Sequence, residues 1–439
     1  MHPTARFLAF VILKDIEQNH AYANLSLNKT LSKAILSDED RRLTTEIVYG
    51  TVRMRLHLDT ELNAYCDVKK TDAQVLLLLR MSVYQLEYLS NVPDYAVINE
   101  AVEMCKRVHP RSSGFVNAVL RAYVRKDKNI RWPDKFKQRN QYISKWYSFP
   151  QWMVDQWIKA YGFEETEKLC AYFNEPAPSW IRVNTLRYTP EDLTAVLNII
   201  GIKYNQHHLI KEAFQVESLQ PLLRDRAFSD GMFIVQDLSA MLPALVLTPE
   251  KESTVLDMCA APGGKTTQLS AIMQNGGHIT ACDIHEKRTA LIKANIARLN
   301  AGNITVLCDD ATKLSSDYIR RFDYILLDAP CSGLGVLNRR PDLRWNKHRS
   351  DLSDILTLQE KLLDSAAVYA ANRSVLVYST CTLNAAENEE QVEKFLSRHI
   401  DFRLAEFEIL GEKCDGMHTI YPFQDHSDGF FMAKMVKGE

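Results

Sequence analysis

The feature that most constrains this chain is a change of hydrophobic period after Asp237, where short apolar runs begin to alternate with amphipathic stretches. Strands read at 254–258, 278–282, 304–308, 322–327 and 374–379, and helices near 266–274, 285–300, 351–371 and 385–398. Parallel strands need long crossovers, and these helices supply them, so the pattern predicts an α/β fold with a mostly parallel, doubly wound, Rossmann-like sheet. Alternating segments from Phe402 to Phe407 and from Gly429 to Val436 predict an antiparallel pair that closes one edge.

Upstream the period is helical. Apolar positions recur at three- and four-residue spacing from Ala5 to Leu13, Leu43 to Val52, Ala73 to Leu89, Val97 to Val108 and Gly114 to Tyr123, which predicts an all-α domain over 1–130. Residues 131–236 read as a helical linker ending at Glu175-Pro-Ala-Pro178, then a small α+β subdomain around one helix from Pro190 to Ile200. Residues 237–439 form the sheet domain. A chain of 439 residues is long for one core, so several domains are the natural outcome.

Charge is divided unevenly. The chain carries a net −2, yet residues 1–135 hold 20 Lys and Arg against 16 Asp and Glu, so a basic module is joined to an acidic one. No two of the nine cysteines lie closer than 23 positions, which excludes a CxxC zinc pair and a dense disulfide framework, and no metal is expected. The run Phe7 to Leu13 lacks the small-residue cleavage site of a signal peptide, and Val75 to Leu79 stops at Arg80, far short of a membrane span. The chain reads as cytoplasmic, with no membrane partner, and as a monomer.

The first strand opens into Cys259, Ala260, Ala261, Pro262, Gly263, Gly264 and Lys265, a turn that lets backbone approach a ligand closely. A phosphate-binding loop would need a glycine where Cys259 stands, and the GxGxxG dinucleotide pattern is not met. Asp283 ends the next strand, where a carboxylate accepts hydrogen bonds from ribose hydroxyls, and Asp310 follows the third strand, where it or Asp309 meets a base edge. Acidic positions after the loop favour S-adenosylmethionine over a polyphosphate.

Cys282 and Cys308, inside strands, read as buried small hydrophobes. Cys331 and Cys381 differ, because each follows a strand end by two or three residues, and neighbouring strands lie only about 4.8 Å apart. If the fourth and fifth strands are neighbours, both sulfurs enter one cleft. Paired thiols answer a chemical need: carbon 5 of cytosine is a poor nucleophile until a thiolate adds to carbon 6. Asp328 can hydrogen-bond the N3 edge as charge builds there, if it holds or shares a proton. Methylation of an amino group needs no sulfur.

In Cys259 to Thr266, Phe322 to Gly333, Arg339 to Trp345 and Tyr378 to Cys381 the chain resembles the bacterial RsmB (Sun/Fmu) group of the NOL1/NOP2/Sun RNA cytosine-C5 methyltransferases. The resemblance covers nearly the whole chain. It implies that Cys381 is the nucleophile, that Cys331 assists release of the methylated base, and that Cys259 to Lys265, Asp283, Arg288, Asp310 and Asp328 line the cofactor and cytosine pocket. It also implies a substrate in 16S ribosomal RNA, free or in a partly assembled small subunit. Spacing alone leaves the roles of the two thiols open. A transfer-RNA cytosine-C5 methyltransferase and a non-catalytic RNA-binding assembly factor are the alternatives.

The all-α domain is similar to NusB, an RNA-binding antitermination factor. Its RNA face is read in the segment Lys106 to Lys128, through Lys106, Arg107, Arg111, Arg121 and Arg125. A second RNA surface is read just past Cys331, where Arg339, Arg340, Arg344, Lys347 and Arg349 surround Trp345: cations for phosphates beside an aromatic plate for a base. The target cytosine has to leave its stack to enter the pocket.

Overall fold

The structure is a computed structural model and describes residues 4–126, 129–347 and 349–439. Asp127 and Lys128 of the basic segment lie outside the described residues, as does the side chain of Arg349. The chain forms two compact units, one of 1–176 with 337–349, the other of 177–336 with 350–439.

The first unit is helical. The helix Ala73–Tyr88 is its hub: every residue from Val75 to Gln85 is buried, so it is enclosed around its circumference, with the one buried cation, Arg80, paired to Asp59 and Glu17. Ala5–Asn19, Ala23–Leu31, Asp38–Arg53, Arg55–Leu62, Asp94–Val108 and Ser113–Arg125 supply most of the rest of the core. Thr4, Ser37 and Asp72 accept from the backbone N–H groups that each helix start leaves orphaned. Arg139–Tyr147 and Gln151–Tyr172, a linker by sequence pattern, belong to this unit, where Phe149, Trp157 and Phe173 are buried together.

The largest departure from the sequence reading is the segment 337–349, which the pattern assigns to the sheet domain and which instead docks in the helical unit. Arg344 is fully buried, with its guanidinium carbon 3.7 Å from the Phe149 ring centroid. It donates to the carbonyls of Phe173 at 2.9 Å, Arg53 at 3.1 Å and Ser148 at 3.2 Å, and to Asn174 Oδ1 at 2.8 Å. Trp345 Nε1 donates to the Val52 carbonyl at 2.7 Å. These two residues are therefore not an RNA platform, because the Arg344 guanidinium is buried on carbonyl and amide oxygens, and the Trp345 ring packs against the helical core with the Arg55 guanidinium 5.4 Å from its centroid. Arg340, half-buried, sits 4.8 Å over the Tyr22 ring, and Arg339 beside it is half-buried too.

The second unit begins with a four-stranded antiparallel sheet of β1 (Ser179–Val183), β2 (Tyr204–Gln206), β3 (Ala213–Val216) and β4 (Phe233–Val235), in the order β2-β3-β1-β4. The helix Pro190–Ile200 packs beside it, opened by a capping box between Thr189 and Asp192. The main sheet follows with β5 (Thr254–Asp257), β6 (His278–Asp283), β7 (Ile304–Cys308), β8 (Phe322–Asp328), β9 (Ala370–Thr380) and β10 (Phe402–Leu404). A short ribbon of β11 (Phe407–Ile409) and β12 (Glu412–Cys414) precedes β13 (Met417–Ile420) and β14 (Phe430–Lys437). The main sheet runs β10-β14-β9-β8-β5-β6-β7, with β13 on β14. β9-β8-β5-β6-β7 is parallel throughout, and β14 adds antiparallel to β9. The predicted edge pairing of the tail is present between β10 and β14, and β13 is a strand the sequence pattern did not reveal.

One cysteine is corrected here. Cys282 is buried as read, whereas Cys308 is exposed, because β7 is the outermost strand of the parallel run and has no fully buried position.

Candidate active site

The chain winds outward from β5 through β6 to β7, then returns to place β8 on the other side of β5. That reversal opens a crevice beyond the carboxyl ends of β5 and β8, where ligands of doubly wound sheets bind. The loop Cys259 to Gly263 leaves β5 there and enters the helix Gly264–Ile272. Gly263 has φ 98°, and a Cβ on it would come within 3.2 Å of the Ile292 backbone, so only glycine lets the loop lie this low. A cavity of about 370 Å³ is lined by Cys259, Ala260, Ala261, Pro262, Gly264 and Lys265, and also touches Asp257, Asp328 and Gln236.

Asp283 and Asp310 do not line that cavity. Asp283 is buried at the end of β6, accepts from the His285 N–H at 3.0 Å and pairs with Arg288 at 3.3 Å. Arg288 also donates to the Ala261 carbonyl at 3.0 Å, tying the glycine loop to β6. Asp310 accepts from the Thr312 hydroxyl at 2.6 Å in the turn after β7, and this bond, outweighing partial burial, holds its carboxyl below the ordinary range.

β8 and β9 are parallel neighbours with Asp328 opposite Ser379, and this register carries the two cysteine turns to one place. Cys331 Sγ lies 3.3 Å from Cys381 Sγ, both half-buried. The Gly335 N–H donates to the Cys381 carbonyl at 3.0 Å, and the Gly335 carbonyl accepts from Gly429 at 2.8 Å. A Cβ on Gly335 would stand 2.0 Å from the Gly429 carbonyl oxygen, so glycine is what lets these loops stack.

Lys265 Nζ meets Asp328 Oδ2 at 2.6 Å, and Ser379 Oγ donates to Asp328 Oδ1 at 2.9 Å. Burial pulls the Lys265 ammonium down, but Asp328, its hydrogen bond and Cys381 together hold it above its ordinary value. The hydrogen bond to Cys381, burial and the neighbouring carboxylates of Glu387 and Asp328 push the Cys331 thiol well up. Burial drives the Asp257 carboxyl up to about 7, against the hydrogen bond from Thr266 Oγ1 at 2.7 Å and with the help of Asp328.

Sequence reasoning missed Glu387, which is wholly buried and accepts five hydrogen bonds. Oε2 receives the Ser332 N–H at 2.8 Å and Gln359 Nε2 at 3.2 Å; Oε1 receives Ser332 Oγ at 2.5 Å, Asn384 Nδ2 at 2.9 Å and Thr382 Oγ1 at 3.4 Å. The signal was present in the hydroxyl residue that follows each cysteine.

A family model for the 16S rRNA methyltransferases RsmB/F matches residues 244–436, one for the NusB family matches 3–125, and one for an RsmF/B-like ferredoxin-like domain matches 149–222. The Bacillus subtilis (strain 168) protein named "Probable ribosomal RNA small subunit methyltransferase B" is 36% identical over 444 residues, 99% of either chain. The Serratia proteamaculans (strain 568) ribosomal RNA small subunit methyltransferase B is 34% identical over 94% of this chain and 93% of its own. The chain belongs to the ribosomal RNA small subunit methyltransferase B family. Among solved structures, that of PH0851 superposes with a TM-score of 0.81 over 100% of this chain and 99% of its own at 24% identity, a likeness of fold. NSun6 from Pyrococcus horikoshii with SFG is 27% identical with a TM-score of 0.61, covering 67% of this chain and 99% of that one.

Membership of the methyltransferase B family makes the chain a methyltransferase that uses S-adenosyl-L-methionine. The residues present fit that molecule. Gln236 Oε1 is buried at the cavity wall without a hydrogen-bond partner, an acceptor suited to an ammonium group. The glycine loop offers close backbone, and the carboxylate of Asp328 ends β8 at the cavity wall. In the helical unit, Lys106, Arg107, Arg111, Arg121 and Arg125 are all exposed, with Lys106 paired to Glu103 at 2.6 Å and Arg121 bonded to Asn117 at 3.0 Å. No helix among the described residues is long and apolar enough to cross a membrane.

Proposed function

We propose that this protein methylates carbon 5 of a cytosine in small-subunit ribosomal RNA through a covalent adduct on Cys381. The observation that carries the reading is the pair of sulfurs 3.3 Å apart at the ends of adjacent strands, beside the Lys265–Asp328 pair. S-adenosylmethionine, when bound, supplies an electrophilic methyl carbon; Cys259 to Lys265, Asp283, Arg288, Asp310 and Asp328 are the residues proposed to hold it.

The environment of the two thiols is asymmetric. The Lys265 ammonium attracts a thiolate on Cys381, whereas the carboxylates of Glu387 and Asp328 oppose one on Cys331. Cys381 is thus the sulfur that attacks carbon 6, forming an S–C6 bond and pushing electron density to carbon 5 and N3. The Lys265–Asp328 pair faces the developing charge with a proton already shared between nitrogen and oxygen. After carbon 5 takes the methyl group, its proton passes to a base, the C–H electron pair closes the C5=C6 bond, and the S–C6 pair returns to Cys381 as a thiolate, to which Cys331, staying a neutral thiol, donates a hydrogen bond.

Basic helices Asp94–Val108 and Ser113–Arg125, with Arg339 and Arg340, are the proposed phosphate contacts. The substrate assignment rests on the names of the curated relatives. Labelled methyl transfer to protein-free 16S RNA, followed by digestion to nucleosides, tests the reading: the label should elute as 5-methylcytidine, and label in N4-methylcytidine, or none on RNA, refutes it.

A further inference from the structure

Glu387 lies in a turn, Ala385–Glu387, that sequence reads as an ordinary helix start, yet its carboxylate is wholly buried. It grips the residue after each cysteine, Ser332 behind Cys331 and Thr382 behind Cys381. The Ser332 backbone N–H can only donate, and the Gln359 and Asn384 amides are held donor-inward, Gln359 Nε2 by the Pro330 carbonyl at 2.9 Å and Asn384 Oδ1 by the Ala386 N–H at 3.3 Å, so the nest is built for an anion. The surrounding turn is fixed as well: the Tyr378 hydroxyl donates to the Glu387 carbonyl at 2.7 Å, Thr380 Oγ1 donates to Asn388 Oδ1 at 2.6 Å, and Asn388 Nδ2 donates to the Thr382 carbonyl at 3.0 Å.

We propose that Glu387 is a positioning residue that clamps both cysteine turns in contact and, by placing a buried negative charge beside Cys331, confines the thiolate to Cys381. The assignment rests on the cytosine-C5 reading for its purpose, though not for its test. The charged and titratable groups facing the pair come from every element around it: Asp328 from the end of β8, Tyr378 from β9, Lys265 from the helix after the glycine loop, and Glu387 from its turn. Of these, Lys265 is the cation and acts with Cys381, while Asp328 is already matched to Lys265. The five donors to Glu387 are all neutral groups, so no counter-ion offsets the charge it brings to bear on Cys331, whereas that of Asp328 is offset by Lys265.

The experiment is alkylation of the whole protein by iodoacetamide over a pH series, with each cysteine quantified by peptide mass. Wild-type protein should alkylate Cys381 ahead of Cys331. Glu387→Gln, which keeps shape and removes charge, should lower the pH midpoint of Cys331 by about one unit or more, raising the Cys331-to-Cys381 ratio about tenfold. Glu387→Asp, which keeps charge, should hold the wild-type order. Loosening of structure alone, which would lower the Cys331 midpoint by opening the thiol to water, would speed both cysteines and would do so in Glu387→Asp as well. Alkylation of Cys331 first in the wild type, or an unmoved midpoint in Glu387→Gln, overturns the proposal; the wild-type order decides even if the glutamine variant does not fold. Because alkylation needs neither RNA nor methyl donor, it judges Glu387 separately from the methylation assay.

Discussion

Two sulfurs in van der Waals contact resist ionising together, so the site must choose one, and the choice lies in single residues around them. Lys265 favours Cys381, and Glu387 disfavours Cys331. A second residue of the site carries a cost of its own. Asp257 is buried with its carboxyl pushed up to about 7, above the 3.8 of an open aspartate. The folded protein therefore binds this proton more tightly than the unfolded chain, and the stability that follows is present below about pH 4 and lost as pH rises through 7. Asp257→Asn, neutral at every pH, should match wild type at about pH 4 and exceed it above about pH 7 by at most about 4 kcal/mol, read as thermal midpoints. A constant difference across the series would show that Asp257 does not hold its proton in the fold.

At the scale of elements, the short helix Leu343–Asn346 matters more than its length suggests, because Arg344 turns it into a plug for the helical unit. Arg344→Met leaves several buried carbonyls without a donor and should destabilise that unit by about 3 kcal/mol or more, while the salt dependence of RNA binding stays put. A lower salt slope with an unchanged melting temperature would return Arg344 to the RNA surface. Sequence could not reveal this: two cations flanking a tryptophan look the same on an open loop as in a socket, and the socket here is built from residues far away along the chain. The alternation of strands and helices was legible because each local period reports its own element, and so were the strand ends bearing Asp283, Asp328, Cys331 and Cys381. The order of the strands was not written in any local pattern, which is why the exposure of Cys308 escaped. Glu387 escaped for the opposite reason, since an acidic residue in Asn384-Ala-Ala-Glu387 satisfies the ordinary grammar of a helix start.

For the whole molecule, a net charge of −2 conceals a helical unit with exposed cations along two successive, mutually packed helices and the turn between them. Replacing Arg107, Arg111, Arg121 and Arg125 with glutamine should weaken RNA binding and lower the salt slope by roughly 0.7 to 0.9 for each phosphate that the protein no longer neutralises. An unchanged slope would move the RNA face elsewhere. The central claim, that these paired thiols build and release an adduct with cytosine, is tested most directly by trapping it. In 16S RNA carrying 5-fluorocytidine the carbon 5 substituent cannot leave as a proton, so the S–C6 bond stays closed and the protein remains joined to RNA. Peptide mass mapping of that adduct in the presence of S-adenosylmethionine should find the RNA on Cys381. With unmodified RNA the adduct should accumulate in Cys331→Ala and be absent from Cys381→Ala. RNA joined to Cys331 instead, or no adduct from the fluorinated substrate, would contradict the account.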